Sequence, residues 1–214
     1  MPSFDPACRQ CPRLVQYLEQ GRQKYPTYHC APVAPFGAED AGLVIVGLAP
    51  GFHGANASGR PFTGDFAGIL LYRTLHKFGF ANRPQSLAVG DGLELIDARI
   101  TNSVKCVPPE NSPTPEEIRT CRRFLSAELQ ALAKPTVLLA LGTIAHESTL
   151  RSFDLKPTNY KFAHGAEHAL PGGHWLIDSY HCSRYNTQTR RLTEEMFEAV
   201  FAKAKSRLES LRAS

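Results

Sequence analysis

An α/β protein, with a parallel sheet between two layers of helices, is predicted by three features of this 214-residue chain. Short apolar runs rich in β-branched residues, at 43–48, 98–101, 136–141 and 175–179, read as strands. The first and third are apolar enough to be buried on both faces, as parallel strands are. Helical patterns lie between most of them, and alternation of strand and helix means βαβ units whose right-handed crossovers cover both faces of one sheet. A chain of this length buries roughly 70% of its unfolded surface, so one core suffices and no disulfide staple is needed.

In chain order, residues 1–36 form an N-terminal appendage. Its start, MPSFDPACRQC, has no basic segment followed by an apolar core, and no apolar run approaches the roughly 20 residues of a membrane span. A cytoplasmic protein without membrane contact is expected. The strand at 43–48 leads into APGFHGANASGRPFTGD, a polar run with four glycines, two prolines and one acid at its far end. Residues 67–80 read as a helix, 98–101 as a strand, and NSVKCVPPENSPT as a loop. The helix in SPTPEEIRTCRRFLSAEL has Thr114 as N-cap, Pro115 at the first helical position and Glu117 closing a capping box, with Ile118, Cys121, Leu125 and Leu129 on one face. A strand at 136–141, a helix at 144–153 and a strand at 175–179 follow. A last helix from Thr193 turns Met196, Phe197, Val200, Phe201, Ala204 and Leu208 inward. There is no repeat, low-complexity tract or composition break, so residues 1–214 are expected to form a single domain.

The unusual loops all leave the carboxyl ends of strands. Ligands of open α/β sheets bind in the crevice outside those ends, so Asp65, Asn102, His146, His181 and Asn186 are expected to converge on one pocket. Gly47, Gly51 and Gly54 could serve turns alone, because the loop has neither the GxGxxG nor the GK[ST] pattern of a phosphate cradle. His53, His146, His164, His168 and His174 lack a local partner that would orient their rings and read mostly as surface or packing residues. His181 differs: the hydrogen-bonding run SRYNTQT follows it, and such a run belongs where polar groups meet a ligand.

Lysine and arginine exceed aspartate and glutamate by 24 to 20, a net charge of +4 that permits a polyanionic partner without requiring one. Intracellular thiols stay reduced, so the six cysteines point to metal ligation or burial rather than disulfides. Cys8 and Cys11 form CRQC, while Cys106 and Cys121 have fourteen residues between them. Four thiolates suit a tetrahedral zinc site or an iron-sulfur cluster, and spacing leaves both open, as it leaves simple burial open for Cys121. Cys30 and Cys182 read as free thiols.

Together, GLAPGFHGANASGRPFTGD, TNSVKCVPP, LLALGTIAH and SYHCSRYNTQTRRLT resemble the iron-sulfur uracil-DNA glycosylases, in the branch called family 5 or type b. The resemblance runs from CRQCPRL through Thr193. It implies a three-layer αβα fold around a central four-stranded parallel sheet, and a structural 4Fe-4S cluster on Cys8, Cys11, Cys106 and Cys121. It implies a monofunctional enzyme that flips uracil out of DNA and hydrolyses its N-glycosidic bond, starting base excision repair, with hypoxanthine or xanthine as further substrates.

The implied roles attach to particular residues. Phe62 stacks on the base, and Asn102 reads the uracil edge with its amide. His181 donates to the departing base, and Asp65 orients water or supports the cationic sugar. Gly47, Ala49, His53, Asn56 and Asn186 complete the substrate site. Ser183, Arg184, Thr187, Gln188 and Arg190 face DNA, double- or single-stranded, with Arg191 joining the arginines against phosphate. A monomer in a bacterial or archaeal cytoplasm, on the nucleoid through its DNA, is the matching expectation. Cys182 stands where the family commonly has valine and Arg190 where it has glycine. Two other functions remain open: a catalytically silent damaged-DNA-binding module that keeps the cluster, and an enzyme acting on free nucleosides.

Overall fold

A computed structural model describes residues 4–213; residues 1–3 of the expected appendage and residue 214 at the domain's end lie outside it. The elements are α1 (Pro12–Lys24), β1 (Phe36–Gly37), β2 (Leu43–Gly47), α2 (Ala55–Ser58), α3 (Phe66–Lys77), β3 (Ala98–Asn102), α4 (Pro115–Gln130), β4 (Val137–Leu141), α5 (Thr143–Ser152), β5 (Glu167–Ala169), β6 (Trp175–Ser179), α6 (Arg184–Gln188) and α7 (Glu194–Ala213). The four expected strands are β2, β3, β4 and β6, and they pair in parallel in the order β3-β2-β4-β6. Two short antiparallel strands, β1 beside β3 and β5 beside β6, extend this central four-stranded sheet to six. At two and three residues they are too short for alternation to announce them.

Three layers result. Leu43, Ile45, Leu139 and Ile177 face α3 and α7, while Val44, Val46, Leu138 and Leu176 face α4 and α5. The helices after β2 and those after its neighbours β3 and β4 therefore cover opposite faces, which opens a crevice at the carboxyl ends of these strands. A third, smaller cluster packs Leu14 and Leu18 of α1 against Val104, Val107 and Phe124 beside the cysteines. The capping box of α4 forms as read: Thr114 Oγ1 accepts from Glu117 N at 3.2 Å, and Glu117 Oε2 accepts from Thr114 N at 2.8 Å.

Candidate active site

A cavity of about 770 Å³ opens at the carboxyl end of the sheet, and Ala49, His53, Phe62, Asp65, Asn102 and His181 are among its walls. The glycines make room for these side chains. A Cβ on Gly51 or Gly54 would overlap Asp65 Oδ1, and one on Gly47 would run into Asn102 Oδ1 and stand 2.9 Å from the Phe62 ring. Gly47 at the end of β2 is thus a spacer for an amide and a ring, and Gly51 and Gly54 after it are spacers for a carboxylate. Phe62 itself has φ of +56°, a left-handed conformation costly for an aromatic residue. Packing in the core holds it there, with Tyr72 Oη donating to Pro61 O at 2.6 Å. Its ring lies nearly parallel to that of His181, with centroids 6.1 Å apart and planes 28° apart.

Asp65 precedes α3, and its Oδ2 accepts from Ala55 N, at the start of α2, at 3.2 Å. Burial raises its pKa above the usual carboxylate value, and the Ala55 amide partly opposes that rise. Burial pushes the His181 imidazole down to about 4, so near neutral pH the ring is uncharged and keeps one N–H to donate. Asn186 braces this histidine from behind, Nδ2 donating to His181 O at 2.8 Å. Asn102 is 3% exposed, and its Oδ1 has no hydrogen-bond partner among the described residues. A buried amide oxygen left unpaired costs about 1–3 kcal/mol, which a ligand N–H would recover.

Other expected residues fall elsewhere. Asn56 is fully buried away from the cavity wall, with Nδ2 donating to Phe52 O at 3.3 Å. His146 turns to the α4/α5 side of the sheet and pairs with Asp178, away from the other residues expected in the pocket. His53 stands at the rim, with Tyr28 Oη 2.9 Å from its Nδ1. Ser183 caps α6, and Arg184, over the Phe66 ring at 5.0 Å, joins it on the cavity wall. Thr187 and Arg190 line a neighbouring cleft of about 480 Å³, and Gln188 is exposed on α6. Arg190 has φ of +57°, in the left-handed region that favours glycine. Cys182 is fully buried beside Leu192, its thiol pushed up to about 12 by burial, so it is an inert packing group. Sequence reading missed Phe52, Asn111 and Tyr185 on the cavity wall. Tyr185 is 70% exposed, and an aromatic between hydrogen-bonding residues in SRYNTQT was the available signal.

Cys8, Cys11, Cys106 and Cys121 line one small pocket with Leu14 and Phe124, although the two pairs come from distant parts of the chain. Burial raises Cys11 to about 11 and raises Cys106 and Cys121, and the neighbouring sulfurs add to each rise. Lys105 N donates to Cys121 Sγ at 3.3 Å, and Arg123 Nη2 lies 3.8 Å from Cys8 Sγ.

The profile of the uracil DNA glycosylase superfamily matches residues 34–205. A Type-5 uracil-DNA glycosylase of Thermus thermophilus is 48% identical, over 93% of each chain. One of Pyrobaculum aerophilum is 39% identical over 92% of this chain and 87% of that protein. A Type-4 uracil-DNA glycosylase of Archaeoglobus fulgidus is 31% identical over 91% of this chain and 86% of that protein.

Proposed function

The chain belongs to the uracil-DNA glycosylase superfamily, and from that premise we propose that its cavity receives a uracil flipped out of DNA and releases it by hydrolysis. It is a glycosidic-bond hydrolase of base excision repair, and residues 1–214 act as one domain. The observation that carries the assignment to this cavity is the unpaired Asn102 Oδ1. Uracil offers an N3–H donor beside O4, so a fixed amide accepts from N3–H through Oδ1 and donates to O4 through Nδ2. Phe62 supplies the stacking face, worth about 1–3 kcal/mol per base and tolerant of base identity. That tolerance supports hypoxanthine and xanthine as further substrates.

Breaking the bond from C1′ to the base leaves the electron pair on uracil and positive charge on the sugar. The neutral His181 N–H donates to the base oxygen where the negative charge gathers. The Asp65 carboxylate faces the cationic sugar and orients a water, whose oxygen bonds to C1′ while its proton is taken up by the carboxylate and passes to solvent. Asn186 positions His181, and Ala49 and His53 shape the rim. Ser183, Arg184, Thr187, Gln188, Arg190 and Arg191 meet the backbone of duplex or single-stranded DNA. A monomer suffices, since every proposed group lies on one chain, and its substrate places it on the nucleoid in the cytoplasm.

The donor set of the cysteine pocket fits a 4Fe-4S cluster better than zinc. Sulfurs of a tetrahedral zinc site stand about 3.8 Å apart, given Zn–S bonds of about 2.3 Å. Among the described residues only His146, His168 and Asp178 bring three ligating atoms within 4.8 Å of one another, so the four sulfurs are spread wider. Cys8, Cys11, Cys106 and Cys121 would hold the cluster as thiolates, relieving the raised thiol pKa values. When bound, the cluster supplies a structural cross-link from the segment before α1 to the β3–α4 connection, through Cys106, and to α4 itself, through Cys121.

The test is base release from matched duplexes carrying one uracil or one hypoxanthine, with the wild type beside Asp65→Ala and His181→Ala proteins of unchanged iron content. Wild-type release should fall at least about 100-fold in each variant, the usual effect of losing a group that stabilises transition-state charge. Tight binding without release by the wild type would instead identify a silent damage-binding module, and cleavage of free uridine alone a nucleoside enzyme.

A further inference from the structure

His146 on α5, His168 on β5 and Asp178 on β6 bring their ligating atoms within 4.8 Å of one another, on the sheet face covered by α4 and α5. Asp178 is fully buried, His146 is 1% exposed, and the His168 side chain is 13% exposed. Among the described residues, no lysine or arginine pairs with Asp178; its ion-pair partners are the two histidines.

The hydrogen-bond inventory is short of a cation. His146 Nε2 lies 3.0 Å from Tyr160 O, which can only accept, so Nε2 carries the hydrogen. The opposite nitrogen, Nδ1, lies 2.7 Å from Asp178 Oδ1, a second acceptor, and His168 Nε2 lies 3.1 Å from Asp178 Oδ2. Either an extra proton or a metal ion must sit between His146 Nδ1 and the carboxylate.

We propose that His146 Nδ1, His168 Nε2 and the Asp178 carboxylate form a site for one divalent transition-metal cation, with zinc the best match. Two imidazoles and one carboxylate suit zinc, whereas magnesium and calcium prefer oxygen ligands throughout. Ligand atoms on a tetrahedral zinc with bonds of about 2.1 Å stand about 3.4 Å apart, so separations of 2.7 and 3.1 Å need only small side-chain shifts. The Tyr160 carbonyl is the outer partner that metal-bound histidines commonly have, fixing Nδ1 as the ligating nitrogen. Partial exposure of His168 gives the ion an entry path and a water its fourth ligand. The ion would join α5, β5 and β6 three residues before His181, stiffening the strand that delivers that histidine to the cavity.

Equilibrium dialysis of the cluster-loaded protein against zinc, with magnesium in a parallel cell, tests this directly. Zinc and iron are counted per chain, and thermal midpoints are read with and without zinc. One zinc per chain with iron unchanged, no magnesium, and a midpoint raised by zinc are expected for the wild type. Zinc affinity should be at least tenfold weaker in His168→Ala and in Asp178→Asn, and their midpoints insensitive to zinc. His168→Ala, on a partly exposed edge strand, decides alone should Asp178→Asn not fold. Absence of zinc binding, equal binding by the variants, or zinc gained only as iron is lost would overturn the site and leave a proton as the sole bridge.

Discussion

Asp65 and His181 share a cavity, and burial moves their pKa values in opposite directions relative to pH 7, with consequences for rate and stability. Burial raises Asp65 while the Ala55 amide, favouring the anion, partly opposes that rise, so the carboxylate gains its proton above the usual carboxylate range as pH falls. Burial lowers His181 to about 4, so its ring is already neutral at pH 6. With the roles proposed above, kcat/KM for uracil release should show one acid limb, above the ordinary value of about 3.9 for aspartate, and no limb near the histidine value of about 6.5. The limb should disappear from the residual activity of Asp65→Asn. A limb near 6.5 that His181→Gln abolishes would mean that the histidine works as an imidazolium, contrary to the proposed role. Stability carries the same signature: below about 6.5 the unfolded His181 binds a proton that the folded ring refuses until about 4. Its contribution is therefore complete above 6.5 and lost as pH falls toward 4.

Glu117 shows how one side chain couples two helices. Its carboxylate caps α4 through Thr114 N at 2.8 Å and receives Arg13 of α1 at 2.8 and 2.7 Å. Burial opposes the charged form, but the hydrogen bond from Arg13 and those from Thr114 outweigh it, and the Glu117 pKa is lowered. Thr114→Ala removes only the cap and should cost about 1 kcal/mol of stability. Glu117→Ala removes the reciprocal cap and leaves Arg13 with only the Ser112 carbonyl at 3.0 Å, so it should cost more; equal losses in urea unfolding would show that the tie between α1 and α4 contributes nothing. This capping box was legible because its signal is local, and the apolar strands and the stripe of α7 were legible for the same reason. The five residues of α6 are too few for a helical period to emerge, and the edge strands depend on partners distant in sequence. The placement of the site at strand carboxyl ends was legible from loop chemistry. The fit of Gly51 and Gly54 around Asp65 was not, since only the folded loop brings residues eleven and more positions apart into contact. Nor was the departure of His146, whose partner Asp178 lies 32 residues away.

The three apolar clusters divide the protein into parts of unequal independence. Two of them sandwich the sheet and include none of Cys8, Cys11, Cys106 and Cys121, whereas α1 rests on the small third cluster with only Leu14, Leu18 and Gly21 buried along its thirteen residues. That contact is slight, and a structural cluster on Cys8, Cys11, Cys106 and Cys121 would supply the missing cross-link. The link reaches the cavity, because Phe52 on its wall packs against Tyr17 and Tyr25 with ring centroids 5.3 and 5.8 Å apart. Removing iron under mild chelation should therefore free α1 while the sheet and its covering helices persist. Trypsin should then cut after Arg9, Arg13, Arg22 or Lys24 at least about tenfold faster, leaving a resistant core with nearly unchanged far-ultraviolet circular dichroism. Uracil release should fall in step with the loss of α1, since Phe52 loses its backing. An iron-free protein that resists trypsin as well as the loaded one would mean that Arg13, Glu117 and the third cluster hold α1 unaided. Loss of the sheet together with α1 would mean that the cross-link sustains all three layers, because local opening and global unfolding would then have become one cooperative event.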